Sequence, residues 1–322
     1  MKKIMILISS LVLLFSITAC NAHSTYECNP IFVFDTTVTM VFYDQDDYKD
    51  YYNVIKKEFN KISLATNDFA SNEEENSLYD LNQKRTVESE ILTKIIKKSI
   101  EYKEITNGYY NPFIGRLTHK WKELIKKDDF SESDILSSSY LENELNIMNN
   151  TSVSFDGNKI TLIGDGNIDL GGITKGYALE WAKNYLEENN VKKYYINCGS
   201  SSIYIGDKNI NVILRKPYEN SDILSFDAKN IGIGTSSPKY QYKELNNIKY
   251  HHLLNPFTGL PSNIYDSINI ISENNLENDI FSTALFSMPL DEIKEFIEQR
   301  NINILLYKDN SILYQRYEIW EK

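Results

Sequence analysis

From Ile31 to Asp44 the chain reads IFVFDTTVTMVFYD, apolar and polar positions alternating through β-branched and aromatic side chains. That is the pattern of a half-buried strand. DYYNVIKKEFNKISLA (50–65) and ESEILTKIIKKSIEYKEIT (88–106) instead repeat apolar residues three and four apart, which predicts two amphipathic helices. The polar stretch between them, TNDFASNEEENSLYDLN (66–82), reads as a loop, and THKWKELIKK (118–127) as a further short helix. From Val153 the pattern changes to short strands: VSFDGNKITLIG, KYYINCG, SIYIGD, INVILR and ILSFDAKNIGIG. A turn and an amphipathic helix, NIDLGGITKGYALEWAKNYLEENN (167–190), interrupt this series. Toward the end come the strand DSINIIS, the helices ENDIFSTALFSM and LDEIKEFIEQR, and the strands INILLYK and SILYQRYEIW. Strands and helices arrive in runs rather than in strict alternation. This predicts an α+β fold with a mostly antiparallel sheet and packed helices, and argues against a doubly wound sheet.

Composition adds scale. Of 322 residues 42% are hydrophobic and 12% aromatic, ample for a large core. The length suits one large or two ordinary domains, and no Pro/Gly linker, low-complexity block or repeat marks a boundary; the expectation is one domain over 31–322. The start is different. Lys2 and Lys3 precede the apolar run IMILISSLVLLFSITA, too short and too early for an ordinary spanning helix, and small residues lead directly into Cys20. The expectation is a lipoprotein signal peptide over 1–19, a lipid on Cys20, a tether over 20–30, and an anchor on the outer face of the cytoplasmic membrane. A plain signal peptide with a coincidental cysteine is the alternative. Cys28 and Cys198 are too few for a disulfide framework, and Cys198, ending an apolar strand, reads as a small buried hydrophobe. The net charge of −11, or −13 without Lys2 and Lys3, argues against a nucleic-acid partner.

Three stretches carry chemistry. A strand-to-helix turn places Asp169, Gly171, Gly172 and Lys175 together, and a helix start suits an anion. The turn is neither a Walker A loop nor G-x-G-x-x-G, so taken alone it reads first as a glycine turn beside a solvated lysine. His251 and His252 adjoin in KYHHLLNPFTGLP, where a strand meets a Pro/Gly turn. Neighbours on a strand face opposite ways, so one ring can reach a cleft as a base while the other does not; both also fit as ordinary packed or surface histidines. In ENDIFSTALFSM, Asp279, Ser282 and Thr283 share a helix face as a hard oxygen cluster suited to Mg²⁺, or Asp279 is a helix-start acid. No G-x-S-x-G, H-E-x-x-H or C-x-x-C occurs.

In combination these stretches acquire a direction. IDLGGITKGYA, NCGSSSIYIG, GIGTSSPKY, HHLLNPFTGLP and NDIFSTAL, with SLYDLN and TNGYYNPFIGRLTHKW upstream, resemble in type and order the motifs of the FAD:protein FMN transferase family, also called ApbE. The resemblance covers nearly all of the chain beyond Cys20. It implies an Mg²⁺-dependent enzyme that splits FAD, attaches FMN to a Thr or Ser hydroxyl of an acceptor protein and releases AMP. Motif by motif, it implies FAD contacts from Asp169 and Lys175, a flavin-side segment at Tyr109, Tyr110 and Asn111, and Phe34 near a further cofactor-binding position. It implies metal ligation by the Gly172 carbonyl with Asp279, Ser282 and Thr283, and His252 as the catalytic base. Asn111 and Asn255 stand where the family has Asp, so neither supplies a charge, although Asn keeps the turn chemistry of Asp. A lipid-anchored FAD-binding protein and an FAD pyrophosphatase without protein transfer share most of these features. A solute-binding lipoprotein would show two α/β lobes, which the pattern lacks.

Overall fold

The alternating run 31–44 does not stay one strand. The computed structural model describes residues 24–316 apart from 200, 240 and 301. In it the run splits into β2 (Ile31–Val33) and β3 (Thr36–Tyr43), paired antiparallel with Val33 opposite Thr36. The two residues between, Phe34 (φ 56°) and Asp35 (φ 55°), are both left-handed, the backbone a two-residue hairpin needs to match strand twist. Ahead of them β1 (Thr25–Glu27) pairs with the other end of β3. The stretch expected to be a tether therefore contributes an edge strand, and the ordered sheet begins before Ile31. Cys20 and the expected signal peptide lie outside the described residues.

Two helices absent from the expectation are present. SLYDLN belongs to α2 (Leu78–Lys84), not to a loop: Ser77 and Asp80 form a reciprocal capping box, a start signal that the surrounding acidic and amide residues mask. A further helix, Ser138–Asn149, buries Leu141, Glu144 and Met148; Glu144 can be buried because Arg116 pairs with it at 2.7 Å. With α1 (Tyr48–Ala65), α3 (Glu90–Ile105) and α4 (Gly115–Leu124) already placed by periodicity, this one is α5. On α1 the buried positions Ile55, Phe59, Ile62 and Ala65 keep the spacing of one helix face.

The short apolar runs from Ser152 on form strands. β5 (Ser152–Asp156) and β6 (Lys159–Ile163) make a small sheet with β4 (Thr86–Glu88), which lies between α2 and α3. β7 (Tyr194–Cys198) and β8 (Ser202–Ile205) precede the ribbon β9 (Ile210–Arg215) and β10 (Asp222–Ala228). β11 (Ile231–Ser236) precedes a second ribbon, β12 (Tyr242–Leu245) and β13 (Ile248–His251). β14 (Ser267–Ser272), β15 (Asn303–Lys308) and β16 (Ser311–Arg316) finish the series. The main sheet runs β1-β3-β7-β8-β11-β14-β15-β16, with β2 also on β3, and each pairing is antiparallel. The expected α+β class with a mostly antiparallel sheet is what the chain adopts.

Three helices complete the fold: α6 (Thr174–Glu188), α7 (Asn275–Leu285) and α8 (Leu290–Glu298). α7 lies unusually close to the sheet. A Cβ at Gly234 of β11 would sit 2.2 Å from the Asn278 carbonyl oxygen, so only glycine lets the strand pass beneath the helix. On its other side α7 meets α6 at Gly176, where a Cβ would stand 2.5 Å from both the Asn275 carbonyl and Asp279 Cβ. These contacts fix α7 between strand and helix and bring Asp279 to the start of α6. The two described cysteines are separated by β3: Cys28 donates its N–H to Met40 at 2.9 Å on one edge, and Cys198 pairs with Val38 on the other. Two strand spacings, about 9.5 Å, exceed the reach of a disulfide.

Candidate functional site

The turn that closes 167–172 shows how the cleft is made. The Asp169 N–H donates to Pro112 O at 2.8 Å, and Asp169 Oδ1 accepts the Gly171 N–H at 2.6 Å, an Asx turn that folds the backbone under its own carboxylate. Lys122 of α4 places its Nζ 3.8 Å from the other carboxylate oxygen. Burial alone would raise the Asp169 pKa; Lys122 and the Gly171 N–H more than offset it and hold the carboxyl below the usual range. In return Asp169 keeps the half-buried Lys122 ammonium charged and raises its pKa.

One turn further, α6 begins without a side-chain cap, and Asp279 from α7 takes the place of one. Asp279 Oδ2 accepts the Gly176 N–H at 2.9 Å and Oδ1 accepts the Ser202 hydroxyl at 3.0 Å. Each oxygen keeps a lone pair. Asp279 lies in the second turn of α7, past the Asn274 cap, so it is not that helix's own start acid. Thr283 stands one turn on, and a Cβ at Gly172 would approach its hydroxyl to 2.8 Å, so the glycine brings bare backbone against Thr283. Ser282 points elsewhere: it donates to Asp279 O at 2.9 Å and accepts from Ser236 at 3.0 Å, buried behind the wall.

These walls enclose a cleft of about 1110 Å³. Asp169, Gly172, Lys175, Asp279, Thr283 and His252 line it, as do Phe34, Tyr109, Tyr110 and Asn111. Of the expected site residues within the described range, Ser282 alone lies off the lining. The histidines diverge. His251 ends β13 buried, accepts the Leu253 N–H at Nδ1 (3.2 Å) and meets Phe286 edge-on. His252 turns to the cleft, and its buried Nδ1 has no hydrogen-bond partner. Burial first, and then neighbouring positive charge, lower both rings, His251 to about 3 and His252 to about 4. At neutral pH both are uncharged.

A family model described as the ApbE family matches residues 34–306. The chain belongs to the ApbE family. Among similar proteins, an FAD:protein FMN transferase of Klebsiella pneumoniae (strain 342) is 32% identical over 136 residues, 41% of this chain and 42% of that protein. One of Buchnera aphidicola is 27% identical over 150 residues, 44% of each. The chain thus spans less than half the length of these two relatives. An ApbE protein of Thermotoga maritima shares the fold with a TM-score of 0.73 at 22% identity, covering 88% of this chain and 94% of that one. Flavin transferase ApbE from Vibrio cholerae does so with a TM-score of 0.72 at 16% identity, over 91% and 97%.

In this ApbE-family cleft the two Asp-to-Asn departures keep turn geometry. Asn111 Oδ1 accepts the Phe113 N–H at 3.1 Å and Asn255 Oδ1 accepts the Phe257 N–H at 2.9 Å. Among the described residues no cluster of three His, Cys, Asp or Glu side chains is placed to hold a metal. A cation here would rest on one carboxylate, a hydroxyl and a carbonyl. That oxygen set fits Mg²⁺, which completes its shell from water and substrate phosphates, and does not fit Zn²⁺. Sequence reasoning missed Lys122, which only the fold brings to Asp169, and Ser202, which orients Asp279 from a strand. It also missed His119, whose ring meets Asp68 at 2.6 Å near the mouth and whose pKa that carboxylate raises.

Proposed function

We propose that this chain transfers FMN from FAD to a Ser or Thr hydroxyl of an acceptor protein and releases AMP. The observation that carries the reading is Asp279. Its two oxygens, each with a lone pair to spare, stand beside Thr283 and Gly172 in the cleft that also receives Lys175 and the neutral His252. Asp279, Thr283 and the Gly172 carbonyl would hold Mg²⁺, which when bound neutralises charge on the diphosphate. Lys175 binds the same anionic group, and Asp169 with Lys122 orients the nucleotide. The acceptor oxygen forms a bond to the FMN phosphorus while the bond from that phosphorus to the bridging oxygen breaks. AMP departs with the bridging oxygen, and the acceptor proton passes to His252. Displacement at phosphorus asks for alignment and charge neutralisation more than covalent catalysis, which suits this set of side chains.

The anchor and its side of the membrane belong to the same proposal: a lipid on Cys20 would hold the enzyme on the outer face of the cytoplasmic membrane, beside flavin-carrying electron-transfer proteins. The deciding experiment incubates the protein, FAD and Mg²⁺ with candidate acceptors and runs them under denaturing electrophoresis. A fluorescent acceptor band is expected. FMN and AMP formed without a band would mean that water is the acceptor, and unchanged FAD that the protein only binds it.

A further inference from the structure

The geometry points to Asn82 as the positioning residue that sets Asp169 in the cleft. This inference rests on the reading of Asp169 as a nucleotide contact. Asn82 is 6% exposed, near the end of α2, and has no place on the cleft lining. Its amide holds both backbone groups of one distant residue: Nδ2 donates to Ile168 O at 2.9 Å, and Oδ1 accepts the Ile168 N–H at 2.8 Å. The side chain thus substitutes for a strand partner at a point where no strand pairs. Arg85, the left-handed residue closing α2 (φ 64°), extends the grip. It donates to Gly166 O at 2.9 Å, to Asn167 Oδ1 at 3.3 Å, and to Gly164 O.

The end of α2 therefore holds one side of segment 164–168, while the Gly115 N–H on Asn167 O (3.0 Å) and the Gly166 N–H on the Thr151 hydroxyl (2.9 Å) hold it elsewhere; Ile168 itself has its backbone partners in Asn82, and Asp169 is the next residue. Its N–H is held by Pro112, so a shift of Ile168 must turn the carboxylate away from Lys122 and from the cleft. Asparagine alone meets this demand at this depth. Leucine has neither donor nor acceptor, ionised aspartate lacks the donor, and glutamine is a methylene too long.

The test compares FAD binding by the full chain and by Asn82→Leu and Asn82→Asp. A lost hydrogen bond to a charged group costs about tenfold to a hundredfold in affinity. For Asn82→Leu a rise in the FAD dissociation constant of about tenfold or more is expected, with transfer at saturating FAD within about threefold of the parent. Unchanged affinity in a folded Asn82→Leu protein overturns the inference. Should Asn82→Leu fail to fold, Asn82→Asp decides. A protonated carboxyl donates and accepts as the amide does, so its FAD affinity should recover toward the parent's as pH falls, and a constant ratio to the parent at all pH values overturns the inference. Amide hydrogen exchange, read without FAD, separates this from failure of the transferase reading. Faster exchange at Ile168 and Gly171 with the main sheet still protected supports Asn82 as the positioning residue even if the parent ignores FAD; unchanged exchange at both overturns it.

Discussion

At the scale of single residues, the histidine pair makes two opposite commitments. His252→Ala is expected to lower FMN transfer by about 10²–10⁴, the usual worth of a positioned base, while FAD still binds. His251→Ala should do far less, since its ring packs against Phe286 away from the cleft. Because His252 titrates near 4, the acid limb of kcat/KM, which reports the free enzyme, should lie near that value and not near 6.5. An acid limb at the ordinary histidine value, or equal losses in the two variants, would remove His252 as base. His251 governs stability instead. Its folded pKa of about 3 lies below the 6.5 of an open chain, so between these values the unfolded state binds more protons and stability falls as pH drops. Replacing His251 with asparagine should make that fall shallower in urea titrations from pH 7 to pH 4. Much of the cleft lining was legible at this scale because turns, His and hydroxyl clusters announce themselves by type. Lys122 and Asn82 were not, because each acts on a residue far along the chain.

At the scale of elements, the site depends on α7 being clamped between β11 and α6. Gly176→Ala puts a Cβ into backbone and into Asp279, neither of which can retreat like the tip of a flexible side chain. A loss of about 1–3 kcal/mol, read by urea unfolding, is expected from such overpacking, with weaker Mg²⁺ dependence of transfer as Asp279 shifts. Gly157→Asn is the control: its φ of 58° suits asparagine and nothing lies within 4 Å, so stability should change by less than about 1 kcal/mol. Periodicity found α1, α3, α4 and most strands. It missed the hairpin within 31–44 because Phe-Asp carries no turn signal of the Asn-Gly kind, so the alternation runs on across the reversal. It missed α5 because a buried glutamate occupies that helix's inner face and finds its arginine only in three dimensions.

For the whole molecule, composition and the order of runs were enough for the α+β class, whereas the strand order was out of reach, since register and neighbour choice depend on pairings between distant segments. The expectation at this scale concerns address. Cys20→Ser should release the protein from membrane fractions or leave its leader uncleaved; retention with normal processing would dismiss the lipid anchor. The −11 charge leaves little attraction to anionic lipid, so the anchor would have to hold the protein there unaided.

The placement of β3 against β7 also bears on how fast the chain folds. Val38 pairs with the distant Cys198, Tyr102 reaches its partner Glu277 only 175 residues later, and Asp279 returns 103 residues to Gly176. A chain with so many distant pairings has a high contact order and pays for loop closure before it is rewarded, so it should reach its native state slowly, on the scale of milliseconds to seconds or longer. The cleft draws its lining from Phe34 near one end of the chain to Thr283 near the other, so it is complete only once α7 packs on the sheet. A nascent chain that stops short of α7 therefore carries Asp169, Lys175 and His252 without Asp279 and Thr283, and should hold FAD and Mg²⁺ less well than the finished protein.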